Sequence, residues 1–342
     1  MRKKIFIFAA LLAAVALARA SWRRAQDRRH SLSFYAMNTV MTLSAYGPHA
    51  EEGLQTARNR IVELERRLSV TDPNSDVGRL NASGGAPTKI GIEATQLLNF
   101  SLKLCSETHG AFDPTLYPLL QRWGFTTGTY RVLSRGEIQS LLKLTGPDKV
   151  RLSGSSARLA PGAMIDFGGA AKGLAGSEAA KALRRCGVTS AVANLGGNVQ
   201  TLGRPPRGGR WRIGIKAPGG ELLGVLETGE AAVVTSGGYE RFFTGPDGTK
   251  YWHILDPSTG EPARSGVISA TVTGPSGLLC DGLSTAFFVM GAEKAAQYWR
   301  NHPEIEFILL TQSGELWLTE GVAKRFAVEP AYAGLTVKRV AR

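Results

Sequence analysis

Apolar residues in this 342-residue chain change their period several times, and each change predicts an element. Leu54, Ala57, Ile61, Leu64 and Leu68 recur every three or four residues through 51–68, the stripe of a helix buried along one side. Upstream, residues 37–46 alternate, with Met37, Met41, Leu43 and Ala45 on one face, and read as a strand. Residues 69–81 form a loop and short turn rich in side-chain caps. Helices follow at 93–108 and 135–144, and 149–160 is hairpin-like. Residues 164–203 read as strand end, glycine turn, helix, strand, glycine turn, strand. The helix there spans 170–185, has Leu174, Ala179, Ala182 and Leu183 for burial, and stops at Cys186-Gly187. Strands are expected at 211–216, 222–227, 231–235, 251–255 and 267–273, then a long helix from Asp281 to about Trp299, and a closing hairpin at 306–310 and 315–318. Strands outnumber helices, and neighbouring strands often have no helix between them. The fold class is therefore α+β rather than a doubly wound sheet.

The N-terminus changes the picture of where the chain works. Residues 1–20 carry Arg2-Lys3-Lys4, an apolar core over 5–18 and Ala18-Arg19-Ala20 before Ser21, the anatomy of an export signal. An uncleaved N-terminal anchor is the alternative, and both readings place the rest of the chain outside the cytoplasm, in the periplasm. Residues 21–32 read as a polar basic arm, and 33–342 as a single, bilobed domain. Of the 41 basic residues, four lie in the first 20, leaving 37 against 28 acidic ones, or +9. That surplus suits a small anionic substrate or peripheral contact with the inner membrane. It is scattered, without a basic helix stripe or an aromatic RNA-binding motif, which argues against nucleic acid. Cys105, Cys186 and Cys280 are far apart and odd in number, so they read as small buried residues.

Few residues carry chemistry by spacing alone. Asp281 and Thr285 are one helical turn apart, so a carboxylate and a hydroxyl share a face and offer hard oxygen ligands for Mg²⁺; Asp281 could equally cap the helix. His253 lies in an extended run before Asp256-Pro257, as a base or as a structural histidine. Lys172 stands in a first helical turn, where its charge opposes the helix dipole unless an anion is near. No zinc spacing, GxxxxGK[ST], GxGxxG or GxSxG motif occurs.

These pieces occur in an order that resembles the ApbE family, the FAD:protein FMN transferases. The resemblance spans most of residues 34–292. It rests on Met37-Asn38-Thr39, residues 75–81, Gly110-Ala111-Phe112-Asp113-Pro114, residues 166–173, Asn194-Leu195-Gly196-Gly197-Asn198, Thr235-Ser236-Gly237, residues 253–260 and residues 281–285. It implies a T-fold-like core with FAD in a cleft between lobes. By the same resemblance Met37, Ala111, Phe112, Asp113, Asp166, Lys172, His253 and Ile254 would line the FAD site. Asp281 and Thr285, with Ser284 and the backbone carbonyl of Gly169, would hold Mg²⁺. His253, or Asp281, would take the acceptor's proton. One departure is that many members carry an aromatic after the first loop's serine, where this chain has Val70-Thr71. The implied reaction is Mg²⁺-dependent transfer of FMN from FAD to a threonine or serine of an acceptor protein, a membrane redox subunit, with release of AMP. The alternatives are an FAD carrier without chemistry and an FAD pyrophosphatase.

Overall fold

The computed structural model describes residues 27–342, so the stretch read as an export signal and the first half of the basic arm lie outside the described residues. Nine strands form the main sheet, in the order Arg29–Ala36, Thr39–Tyr46, Ser190–Asn194, Asn198–Gly203, Ala232–Gly237, Val267–Gly274, Glu306–Thr311, Glu315–Thr319, Thr336–Val340. Their order in space is their order along the chain. Every neighbouring pair is antiparallel except the last, which is parallel. Everything else is inserted between these strands, which is why the sequence shows strands without regular alternation with helices.

Alternation along the strands sorts the core into two layers. Ala191, Ala193, Ala232, Val234, Phe307 and Leu309 face the helices, among them Ala50–Leu68, Ala171–Arg185 and Gly277–Met290. The residues between them, Val233, Ile308 and Leu310, pack against a small three-stranded sheet of Trp211–Lys216, Leu222–Thr228 and Phe326–Val328. A third cluster, Leu116, Leu119, Trp123, Phe125, Leu133, Ile138 and Leu255, is the core of a smaller lobe. It is built from the insertion around helices Tyr117–Trp123 and Arg135–Leu142 and from the hairpin Phe242–Thr244/Lys250–Trp252. Buried Trp123 donates its indole N–H to the Gly260 carbonyl at 3.0 Å, tying the two insertions together. The architecture is α+β, as the sequence predicts.

Several boundaries differ from those expected. Residues 29–32, read as part of a polar arm, belong to the first strand. Ser31 and Ser33 face Ser44 and Thr42 across the ladder, while Leu32 and Phe34 pack on the core. Met37 is not in a strand: Met37 and Asn38, at φ 47° and 60°, form the two-residue turn between the first two strands. Residues 76–81 form a short helix, capped by the Ser75 hydroxyl. Residues 164–165 pair with no strand; Asn81 instead bonds both the N–H and the carbonyl of Ile165 at 2.8 Å. The helix expected from Asp281 to Trp299 is two helices, Gly277–Met290 and Ala292–Arg300, because Gly291 takes φ 85° between them. Its N-cap is Ser276, whose hydroxyl accepts from Leu279 N–H, so Asp281 is not a cap. Helix Tyr117–Trp123, strand Phe326–Val328 and the final parallel strand have no counterpart in the sequence reading, because they are short and carry little periodicity.

Candidate active site

A cleft of about 790 Å³ opens between the sheet-and-helix core and the smaller lobe. That volume is within the roughly 300–1,000 Å³ typical of small-molecule sites. One wall is the turn Met37-Asn38. Its backbone is fixed by Met37 N–H, which donates to Glu65 Oε1 at 2.6 Å. A non-glycine pair at positive φ costs free energy, and such strain is concentrated at functional sites.

The floor depends on two helices approaching unusually closely. Helices Ala171–Arg185 and Gly277–Met290 touch at Gly173 and Gly277. A Cβ on Gly173 would lie 2.2 Å from the Gly277 carbonyl oxygen. This contact lets Gly173 N–H donate to Asp281 Oδ2 at 2.7 Å. Asp281 is buried, and burial pushes its carboxyl up to about 6, against the pull of Lys172 and the Gly173 N–H. Desolvation outweighs those partners, and a cation placed beside the carboxylate would favour its ionised form. Thr285 follows one turn later. Its Oγ1 lies 3.4 Å from Ser236 Oγ, and Ser236 Oγ is 2.7 Å from Ser284 Oγ. Ser284 is fully buried and donates to the Asp281 carbonyl at 2.8 Å, so it supports the turn from beneath instead of lining the cleft. Gly169 faces this corner: a Cβ there would stand 3.5 Å from Thr285 Oγ1 and 2.9 Å from the Phe112 ring. Among the described residues no three His, Cys, Asp or Glu side chains gather as a metal-ligand set. The available oxygens are one carboxylate, hydroxyls and backbone carbonyls.

The opposite wall comes from the smaller lobe. Among the described residues His253 has no carboxylate partner; its Nδ1 and its backbone N–H both meet the Arg241 carbonyl, at 3.1 and 3.2 Å. A carbonyl only accepts, so Nδ1 carries the proton and Nε2 is left with a free lone pair. Burial, together with the charges of Arg241 and Lys172, lowers the His253 pKa to about 4, so the ring is neutral at pH 7. Asp166 is held by its N–H to the Pro114 carbonyl at 2.8 Å and by Gly168 N–H to Oδ1 at 3.0 Å. Asp113 accepts from Thr115 N–H and Oγ1 at 2.8 and 2.6 Å. Burial raises both carboxyls, although Thr115 opposes it at Asp113, and Gly168 N–H, Lys172 and Arg241 oppose it at Asp166.

The structure therefore brings Met37, Ala111, Phe112, Asp113, Asp166, Gly169, Lys172, His253, Ile254, Asp281 and Thr285 onto one cleft. These residues span 249 positions of sequence, Met37 to Thr285. Sequence reasoning did not single out Glu65, Ser236, Arg241 or Asn198. Asn198 is the most pointed omission. It lines the cleft, is 1% exposed, and neither amide atom has a hydrogen-bond partner among the described residues. It still lies near enough to Asp281 to favour the ionised carboxylate. Its amide is thus a weak partner of the Asp281 carboxylate at the edge of the cleft. Its signal in the sequence is its place at the end of Asn194-Leu195-Gly196-Gly197-Asn198, directly after the glycine turn.

Residues 37–309 match the family model described as ApbE family. The chain belongs to the ApbE family. Among curated relatives, a FAD:protein FMN transferase of Klebsiella pneumoniae is 31% identical over 88% of this chain and 95% of its own length. One from Treponema pallidum is 29% identical over 89% and 91%. Among solved structures, the ApbE protein of Thermotoga maritima superposes with a TM-score of 0.82 at 31% identity, covering 87% of this chain and 99% of its own. The flavinyl transferase ApbE of Pseudomonas stutzeri, in its apo form, gives 0.75 at 30%, covering 91% and 97%. The two-lobed cleft is thus an ApbE cleft on an ApbE fold.

Proposed function

We propose that this protein is a FAD:protein FMN transferase that moves FMN from FAD onto a threonine or serine hydroxyl of an acceptor protein and releases AMP. The observation that carries the reading is the convergence of Asp281, Thr285, Lys172 and a neutral His253 on one cleft in an ApbE-family chain.

Each residue has a task that its surroundings support. Lys172, at the start of helix Ala171–Arg185, adds a full charge to the positive helix end and attracts the pyrophosphate of FAD. Met37, Ala111, Phe112, Asp113, Asp166 and Ile254 line the remaining walls and would hold the two halves of the dinucleotide. His253 Nε2 is the open acceptor for the hydroxyl proton as the acceptor oxygen attacks the FMN phosphorus. Asp281, closer to the helix crossing, is the second candidate for that proton.

A Mg²⁺ ion fits the donor set: Asp281 is a buried carboxyl in which desolvation outweighs its partners, Thr285 Oγ1 follows one turn on, and Gly169 borders Thr285. Ser284, bonded to Ser236 and to the Asp281 carbonyl, would act by positioning Asp281 and Thr285. Bound there with FAD, Mg²⁺ would supply neutralisation of charge that accumulates on the phosphates. One carboxylate with neutral oxygens suits a cation that keeps substrate phosphates in its shell, and is a poor set for zinc.

The N-terminal signal points to export, to a periplasmic site of action with an inner-membrane redox subunit as acceptor. The test is incubation of residues 21–342 with FAD, Mg²⁺ and a flavin-acceptor domain, followed by in-gel flavin fluorescence after denaturation and AMP quantification. A fluorescent acceptor with equimolar AMP supports transfer. AMP without labelled acceptor points to water as the nucleophile or to an acceptor domain the enzyme does not use, which a second acceptor domain separates, and bound FAD with no product favours a carrier and rejects the transferase reading.

A further inference from the structure

We infer that Arg241 is a second cationic clamp on the FAD pyrophosphate, binding the FMN phosphoryl group from the wall opposite Lys172. The inference rests on the transferase reading and adds a residue to its chemistry.

Three observations place it. Arg241 lines the cleft from the base of the hairpin Phe242–Thr244/Lys250–Trp252, half-buried, and its guanidinium has no hydrogen bond or ion pair among the described residues. Its charge reaches both Asp166 and His253, and so does that of Lys172, which comes from a different element. Lys172 alone also acts on Asp281. Arg241, whose carbonyl holds His253, enters the cleft beside the hairpin of the smaller lobe, and Lys172 enters it from helix Ala171–Arg185, so two elements each bring one cation to the same cleft. Neither cation has an ion pair among the described residues, and both act on the Asp166 carboxyl only at longer range; an anionic ligand in the cleft would give each a direct partner.

The two residue types are suited to different jobs. A lysine is a point charge, whereas a guanidinium presents two parallel N–H groups to the equatorial oxygens of a phosphoryl group. During transfer the acceptor Oγ–P bond forms and the bond from the FMN phosphorus to the bridging oxygen breaks. AMP leaves with that oxygen, and the hydroxyl proton passes to His253 Nε2. In that interval charge moves onto the departing bridging oxygen and is spread over the equatorial oxygens, the atoms the Arg241 guanidinium would hold. A donor aimed at developing charge contributes about 10²–10³ to kcat.

Side-chain substitution isolates this role, because Arg241 fixes His253 through its backbone carbonyl, which every variant retains. R241Q and R241K are compared with wild type, with melting curves to establish folding. Without metal, in EDTA, titration by flavin fluorescence should show R241Q binding FAD at least tenfold more weakly while riboflavin, which has no phosphate, binds unchanged. With Mg²⁺ and acceptor, kcat should fall roughly 10²-fold or more in R241Q and less in R241K, and guanidinium should partly restore a folded R241G variant. Wild-type FAD affinity and kcat in R241Q would overturn the inference, as would equal losses for FAD and riboflavin. If wild type itself releases no AMP and labels no acceptor, the transferase reading fails, and the metal-free FAD-against-riboflavin comparison still decides Arg241.

Discussion

Replacing Gly173 by alanine tests the idea that a close helix crossing builds the acidic corner of the cleft. In an ordinary exposed helix the change would stabilise by about 0.5–1 kcal/mol, because alanine costs less conformational entropy. Here the new Cβ would lie 2.2 Å from the Gly277 carbonyl oxygen, 2.6 Å from its carbon and 2.7 Å from Asp281 Cβ, whereas ordinary contact begins at 3.4 Å. Two of those three atoms are backbone, so no rotamer change relieves the clash. The helices must part by about 1.2 Å at this point, the shortfall between 2.2 and 3.4 Å. The Gly173 N–H to Asp281 Oδ2 bond, 2.7 Å long, is then lost or badly stretched. Overpacking costs about 1–3 kcal/mol, and a hydrogen bond to a charged group about 1.5–3 kcal/mol. Set against the helix gain of about 0.5–1 kcal/mol, the net is a loss of roughly 1.5–5.5 kcal/mol. Urea denaturation of G173A beside wild type measures it, with AMP release read on the same preparations. G136A is the internal control: Gly136 is also helical, but nothing lies within 4 Å of its added Cβ, so that variant should be neutral or slightly stabilised. If G173A unfolds at the same or higher urea concentration than wild type, with unchanged AMP release, the crossing does not organise the site.

Asp281→Asn should abolish Mg²⁺-dependent AMP release while stabilising the metal-free protein at pH 8 by up to about 3 kcal/mol, since the carboxyl titrates near 6 in the fold against 3.8 in the open chain. A variant less stable than wild type under those conditions would contradict the desolvated-carboxylate reading. The same substitution should change the acid limb. His253, near 4 in the fold and 6.5 unfolded, takes up its proton first in the unfolded chain, so stability falls as pH drops from 6.5 to 4. Asp281 has the opposite sign, since the folded state binds its proton first between pH 6 and 3.8, and Asp113 and Asp166, also raised, act in the same direction. Asp281→Asn removes part of that offset, so its stability should decline more steeply than wild type between pH 6 and 4 in a denaturation series; parallel curves would refute the assignment. Trp123→Ala should cost about 3–5 kcal/mol, because a fully buried indole and its bond to Gly260 are lost together. A loss below about 1 kcal/mol by chemical denaturation would mean the smaller lobe does not depend on that contact.

What the sequence determined by itself was local. The stripe Leu54, Ala57, Ile61, Leu64 and Leu68 forms a helix with that face buried, and strand Trp211–Lys216 falls where alternation places it. Motif order was equally legible, and with it the ApbE resemblance, because several short signatures in sequence need no knowledge of distance. Tertiary structure decided what periodicity does not encode. The Ser276 cap removed Asp281 from the helix end and put its carboxylate in the cleft, and Met37 became a strained turn. Gly173 and Gly277 are unremarkable glycines until two helices remote in sequence meet there. Arg241 and Asn198 belong to no spacing rule; one is defined by a facing wall and the other by partners it lacks. Periodicity reports which side of an element is buried, and chemistry at a site depends on which buried sides meet, a property of the whole chain.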